Sequence, residues 1–453
     1  MVQQKRAQMK IQDMTEGSPI KHILIFTIPL LIGSIFQQIY SVVDTMIAGY
    51  NLGDPAIAAI GASAPLYGLI FSAAFGMNNG FGIVVTRHFG ARKEKEMKQA
   101  IAGMIFLNTL IAVVLTILSV LFLRPLMVLM NTPASIFDDA YSYIFIVCAG
   151  MIATVYYNMF SAILRAVGNS RTPLYFLLLA TVLNILLDVL LIMVIPLGLA
   201  GAAWATIIAQ AVSAILSGVY TWKNYKDILP SKEELRINTR IYKDLLSTGF
   251  AMALMLCVVD IGTVIFQSAN NMLGELYIAS YTAARRIINL TMQPLATVAT
   301  AMSTFVAQNW GAQKVERIRS SFKKVCLLEI LLAAIMCVVA YGFGGAIIQF
   351  TTGTKDAQII SNAVLSLRLH VSFYAPLGIL FCLRTSMQSM EQKVAPVISS
   401  CIELAMKIFS AVWLIPNLGF LGTCLTEPVT WVFMVTYLGI VYICQRKKLY
   451  KER

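Results

Sequence analysis

The chain has 453 residues, 58 % of them hydrophobic and 13 % charged, with a mean hydropathy of +0.75 and a formal net charge of +13. A soluble domain carries about 25 % charged residues and could not cover itself with so few, which excludes a cytosolic enzyme, a nucleic-acid binder and a disordered scaffold. At about 20 apolar residues per crossing, a chain of this length holds about twelve transmembrane helices.

In chain order, apolar stretches broken by Pro, Gly and charge clusters predict spans at 22–48, 57–83, 99–123, 137–164, 173–195, 200–222, 243–270, 276–306, 321–350, 357–388, 395–416 and 419–444. The segments lack the alternation of a membrane barrel, so the expected fold is an all-α polytopic membrane protein. Residues 1–19 are polar and basic, and no cleaved signal peptide is expected. The eight cysteines (148, 257, 326, 337, 382, 401, 424 and 444) are scattered through apolar runs without metal-ligand spacing. They read as small core residues, neither a disulfide framework nor a metal site, and no cofactor is expected beyond Na⁺ or H⁺ as a coupling ion.

Orientation follows from the basic residues. The N-terminus, the loops after even-numbered spans together with the span ends adjoining them, and the C-terminus hold 29 of the 35 Lys and Arg, the opposite loops only Arg124 and Lys355. Arg285, Arg286, Arg368 and Lys407 fall inside spans. This asymmetry places both termini in the cytoplasm and explains the net charge without a nucleic-acid partner.

A shift of 221 residues aligns Leu52-Gly53-Asp54 with Leu273-Gly274-Glu275, and Phe89-Gly90-Ala91-Arg92-Lys93 with Trp310-Gly311-Ala312-Gln313-Lys314. Each repeat contains six spans, and an even number returns the chain to the same side. The halves therefore insert in the same orientation, related by a pseudo-two-fold along the membrane normal, the parallel kind of repeat found in transporters. The expected division is an N-lobe at 1–222, a cytoplasmic linker at 223–242 and a C-lobe at 243–453.

Acids inside spans are costly and point to function or to pairing. Asp44 and Asp188 lie near the outer ends of spans 1 and 5, each about 9 to 12 Å below the surface at 1.5 Å per residue. Asn184 is one turn from Asp188, and Thr206 enters at the same depth on span 6. No Lys or Arg lies within these six spans. Such an oxygen-only cluster suits Na⁺ or a shared proton, because hard cations prefer oxygen and adjacent carboxylates resist joint ionisation; the alternative is hydrogen bonding to backbone near the surface. Glu403 and Lys407, at i and i+4 on span 11, suit an ion pair. Asp260 on span 7 fits either a pair with Arg285, Arg286 or Arg368, or a substrate role. Glu427 and Glu329 read as structural. Pro29 on span 1 is either a hinge or a static kink.

The chain resembles the multidrug and toxic compound extrusion (MATE) transporters, of the bacterial DinF-like or NorM-like kind. The likeness runs over about residues 15 to 445. It rests on Val43-Asp44-Thr45-Met46-Ile47-Ala48-Gly49, on Leu164-Arg165-Ala166-Val167-Gly168-Asn169-Ser170-Arg171-Thr172-Pro173 and on Asn184-Ile185-Leu186-Leu187-Asp188. Gly198-Leu199-Ala200-Gly201-Ala202-Ala203-Trp204-Ala205-Thr206 and Thr304-Phe305-Val306-Ala307-Gln308-Asn309-Trp310-Gly311-Ala312 complete it. The resemblance implies a monomeric multidrug efflux antiporter of the plasma membrane, exchanging organic, often cationic compounds for Na⁺ or H⁺ by alternating access, with no enzymatic activity. It implies a coupling site at Asp44, Asn184, Asp188 and Thr206, supported by Tyr141 and Asn158 on span 4, and a bend at Pro29. One branch of the family uses carboxylates on spans 7 and 10; here span 10 offers Arg368 and His370 instead. The alternative expectation is a flippase of the same superfamily for lipid-linked oligosaccharide or peptidoglycan precursors, binding pyrophosphate at Arg285, Arg286 and Arg368.

Overall fold

The long apolar runs fold as helices, because in lipid every backbone N–H and C=O must be satisfied within its own segment. The computed structural model describes residues 12–130 and 132–451, and no strand occurs among the described residues. In order the helices are α1 (Pro19–Leu52), α2 (Asp54–Gly90), α3 (Glu94–Leu129), α4 (Phe137–Ala149), α5 (Met151–Ala166), α6 (Arg171–Asp188) and α7 (Leu199–Asn224). The second series is α8 (Thr239–Asn271), α9 (Glu275–Gly311), α10 (Val315–Thr352), α11 (Ala357–Ser372), α12 (Tyr374–Ser389), α13 (Val394–Phe409), α14 (Ile415–Leu418) and α15 (Phe420–Lys451). A π-helical turn continues α6 through Val189–Val194, and another continues α13 through Ser410–Leu414.

Among the described residues, nine helical segments are long and apolar enough to cross a membrane, and two bent pairs raise the number to eleven. The remaining long helix, α9, has 37 residues but carries Arg285 and Arg286, which lower its hydropathy. The bent pairs are α4 with α5 at 46° and α11 with α12 at 50°. Each bend has an identifiable cause. At the first, Gly150 lets α7 press against the break: an added Cβ would come within 2.5 Å of Ile207. At the second, Pro376 lacks the N–H that would bond the Ser372 carbonyl, so the ladder fails where the helix turns. In α1, by contrast, the helix runs uninterrupted through Pro29.

The chain forms two compact units, Met1–Asp13 with Ile28–Ala253, and Met14–Thr27 with Leu254–Arg453. Within the first, α2 packs on α3 and α5, α5 and α6 on α7, and α4 on α3 and α7. Within the second, α9 packs on α10 and α12, α12 and α13 on α15, and α11 on α10 and α15. The pairing plan is the same in both. Backbone irregularities also recur at the 221-residue shift: positive φ at Gly53 and Gly274, at Arg92 and Gln313, at Gly198 and Gly419, and π-turns beginning at Val189 and Ser410.

The seam between the units falls inside α8 rather than in the 223–242 loop. Gly76 and Gly80 of α2 present no side chain to α8, and an added Cβ would meet Ala253 Cα at 2.6 Å and Gly249 Cα at 2.5 Å respectively. This close approach, with an Arg87–Asp244 ion pair at 3.0 Å, holds the first half of α8 in the first unit. In the second unit, Asn309 Nδ2 and Arg317 Nη2 each donate to the Met14 carbonyl at 3.1 Å, and Lys314 Nζ donates to that of Thr15 at 2.9 Å. These bonds hold Met14–Thr27 there.

Gly80→Ala forces backbone apart and should destabilise the protein by about 1–3 kcal/mol, seen as a lower Tm in detergent. Gly61 has open space at its Cβ position, and Gly61→Ala should change stability by no more than about 0.5 kcal/mol. Equal Tm values for the two variants would contradict the close packing of α2 on α8.

Candidate functional site

In the first unit α1, α6 and α7 bring their polar residues together. Asn184 and Asp188 occupy one face at the end of α6, directly before its π-helical turn, a feature that often accompanies functional sites. Asp188 and Asn184 are buried, and Asp44 is 9 % exposed. The Asp44 and Asp188 carboxyl groups lie within hydrogen-bonding reach of each other. Oriented to satisfy its neighbours, the Asn184 amide donates to Asp188 Oδ2 at 2.9 Å and accepts from the Thr206 backbone N–H at 3.1 Å. Tyr40, one turn before Asp44 on α1, meets Thr206 Oγ1 through its hydroxyl at 3.2 Å.

Among the described residues no Lys, Arg or His pairs with either acid, and Asp44 Oδ1 and Asp188 Oδ1 are buried without a hydrogen-bond partner. The cluster offers two carboxylates, an amide and hydroxyls, and no basic nitrogen. Oxygen donors of this kind fit a hard monovalent cation, and two touching carboxyls equally fit one shared proton.

The supporting residues fall elsewhere. Tyr141 stacks on Phe145 with ring centroids 5.7 Å apart, within an apolar cluster. Asn158 donates to the Thr154 carbonyl of its own helix at 2.8 Å. Neither has a hydrogen bond to the two acids. The aromatic hydroxyls near the acids are those of Tyr40 and Tyr143. Tyr40 was legible, one turn from Asp44 on the same face. Tyr143 and Tyr141, two residues apart, point to different sides of α4, and only packing distinguishes them.

The second unit treats charge differently. Arg285 Nη1 donates to Glu427 Oε1 and Oε2 at 2.6 and 2.5 Å. Lys407 Nζ lies 2.9 Å from both Glu403 Oε1 and Thr263 Oγ1, with Arg384 Nη1 3.9 Å from Glu403 Oε2. Arg384 also bonds Ser400 Oγ and, through Nε, Met255 Sδ at 2.9 Å. Arg368 donates to the Tyr341 carbonyl at 3.1 Å and lies 5.2 Å from the centre of its ring. Arg286 is exposed. Asp260 has no ion pair among the described residues, and its Oδ2 is buried and unbonded. Glu329 is fully buried and, among the described residues, accepts only from the Cys382 thiol, at 3.4 Å.

A helical plan used twice, with Asp44 and Asp188 unpaired in one copy and Glu403 and Glu427 ion-paired in the other, defines a multi-pass membrane protein built from two related halves. The chain belongs to the MatE family: the family's sequence model matches residues 29–190 and again 251–413. Two similar Bacillus subtilis proteins are each described as a probable multidrug resistance protein. YoeA is 25 % identical over 365 residues, covering 79 % of each chain, and YpnP is 26 % identical over 382 residues, covering 83 % of each. In fold, the chain matches an outward-facing multidrug resistance MATE family transporter of the MOP superfamily. The TM-score is 0.89 at 21 % identity, with 97 % of this chain and 98 % of that one covered.

Removing one partner of a buried pair strands the other charge. Arg285→Met should cost about 3–5 kcal/mol, whereas Arg285→Met combined with Glu427→Leu should recover most of it. A thermal double-mutant cycle in detergent checks this, and additive losses would disprove the pairing.

Proposed function

We propose that the chain is a secondary active antiporter that expels organic, often cationic compounds in exchange for Na⁺ or H⁺. The observation that carries the reading is the buried Asp44–Asp188 pair, in contact and without a basic neighbour among the described residues. Two carboxylates removed from water require a compensating cation, and without a basic residue that cation must arrive from solution. The family membership and the descriptions of YoeA and YpnP support multidrug compounds as the passengers.

In this reading Na⁺ or H⁺ enters from outside and neutralises the cluster. Asp44 sits on α1, so its neutralisation changes how α1 is held against α6 and α7 and lowers affinity for a cationic passenger. Loss of the ion to the cytoplasm restores the negative charge and the affinity. The two repeats move between outward-open and inward-open forms, and the protein acts as a monomer in the plasma membrane with both termini cytoplasmic. The Lys and Arg asymmetry supports that orientation. One net positive charge moved inward gains about 2.3 kcal/mol per 100 mV, which at about 1.4 kcal/mol per decade sustains roughly a fifty-fold gradient. If a monovalent cation leaves for each one entering, only the ion's chemical gradient contributes.

A flippase of pyrophosphate-linked precursors needs a cluster of free cations; of the three arginines Arg285 and Arg368 are committed to Glu427 and Tyr341, which leaves the exposed Arg286 alone. The antiporter reading is therefore preferred. No enzymatic role is proposed.

The test is efflux of ethidium from proteoliposomes with Na⁺ and pH gradients imposed separately. Ion-driven movement should appear with one gradient, and Asp44→Asn should reduce it to the protein-free background while membrane insertion persists. Unchanged efflux by Asp44→Asn would remove the coupling role from this cluster, and lipid scrambling without ethidium movement would favour the flippase.

A further inference from the structure

The C-terminal unit contains a histidine whose surroundings determine its proton count. His370, one of three histidines in the chain, is fully buried on α11 two residues before its end. Its Nδ1 lies 2.7 Å from the Ser366 carbonyl, one turn earlier. A carbonyl oxygen only accepts, so Nδ1 carries a hydrogen. On the other side of the ring, Nε2 faces Glu427 Oε2 at 3.5 Å, an ion-pair contact longer than a full hydrogen bond. Arg285 engages both oxygens of Glu427, and a guanidinium is always charged, so this carboxylate is ionised and also only accepts.

A neutral ring with its hydrogen on Nδ1 would turn the Nε2 lone pair toward an anion in a site closed to water. A second ring hydrogen removes that conflict and gives Nε2 an ion-pair partner. We infer that His370 is a proton-binding site, its imidazolium held between the Ser366 carbonyl and Glu427, so that one carboxylate serves two cations on different helices.

The groups facing this site come from every helix packed around it. Tyr281 and Arg285 belong to α9, Cys337 to α10, Tyr374 to α12, Lys407 to α13 and Cys424 to α15. Arg285, Lys407, Tyr281 and Tyr374 face Glu427, with Cys337 beside Tyr374 and Cys424 beside Tyr281. Trp431 closes the cluster, its ring centroid 5.8 Å from that of His370 and nearly perpendicular to it. The proton therefore adds an ion-pair link to the packing of α11 on α15, beside the 50° bend into α12. Its loss leaves the Arg285–Glu427 pair in place and removes the charged contact between Glu427 and α11. The site stands independently of any coupling at Asp44 and Asp188, since it rests on donor and acceptor chemistry within the second unit.

The test is nitrogen NMR of the full-length protein labelled at histidine, in detergent or nanodiscs. Three histidines give three pairs of ring signals, and His370→Gln assigns its own by loss. If that variant does not fold, His22→Gln and His88→Gln assign the remaining pair by elimination. Wild-type protein at neutral pH should show hydrogens on both ring nitrogens of His370, and raising the pH should strip Nε2 alone. Glu427→Gln should return the ring to a single hydrogen at neutral pH. A His370 ring bearing hydrogen only on Nδ1 in the folded wild-type protein at neutral pH would overturn the inference, as would a doubly protonated ring unaffected by Glu427→Gln.

Discussion

A carboxylate withdrawn from water must find a positive partner, and the internal organisation of this protein follows from where those partners are. Leaving an ion uncompensated in a low-dielectric interior costs several kcal/mol, more than most single packing contacts contribute. In the second unit the chain supplies the cations: Arg285 to Glu427, and Lys407 with Arg384 to Glu403. In the first unit it supplies none to Asp44 and Asp188 among the described residues. Glu427 and Glu403 are thus paired within the chain, whereas Asp44 and Asp188, like Asp260 and Glu329, have no basic partner among the described residues.

The contrast is informative because the helical plan is common to both. The same pairs of helices pack in each unit, and positive φ angles and π-turns recur at the same shift. The π-turn after Asp188 corresponds to the one after Phe409. The residues preceding these turns differ in kind: Asn184 and Asp188 in the first copy, Glu403 and Lys407 in the second. At that shift Asp188 falls on Phe409, and Lys407 lies two residues earlier, so the two copies share the π-turn but not the placement of the polar side chains before it.

Most of the fold was legible because hydropathy is a local property and each crossing needs about 20 apolar residues regardless of its neighbours. Where a helix bends was harder to see. Pro29 marks no break in α1, whereas Pro376 accompanies a 50° bend. Whether a missing backbone bond opens a helix depends on what packs beside it, and that is tertiary information. The seam inside α8 was hidden for the same reason: the polar 223–242 loop looks like a boundary, but Gly80 against Gly249 holds the following helix to the first unit. For the candidate site, Asp44, Asn184, Asp188 and Thr206 were legible from depth and helical face. Tyr143 was not, nor was the Arg285–Glu427 pair, whose members are separated by 142 positions in the chain.

The pairs in the second unit also bear on why its charges persist inside a membrane protein at all. Replacing a buried ion pair by apolar residues is often neutral or stabilising, so stability alone does not account for several such pairs. Glu427 joins α15 to α9 through Arg285 and approaches α11 through His370, while Lys407 joins α13 to α8 through Thr263 and Glu403 joins α13 to α12 through Arg384. Apolar side chains could hold these helices together but would allow them to slide or rotate, since lipid and Leu are equally apolar and impose no register. Directional pairs fix which faces meet. The C-terminal unit therefore gains a defined arrangement from its charges, and on α1 of the other unit Asp44 meets Asp188 but has no ion pair among the described residues.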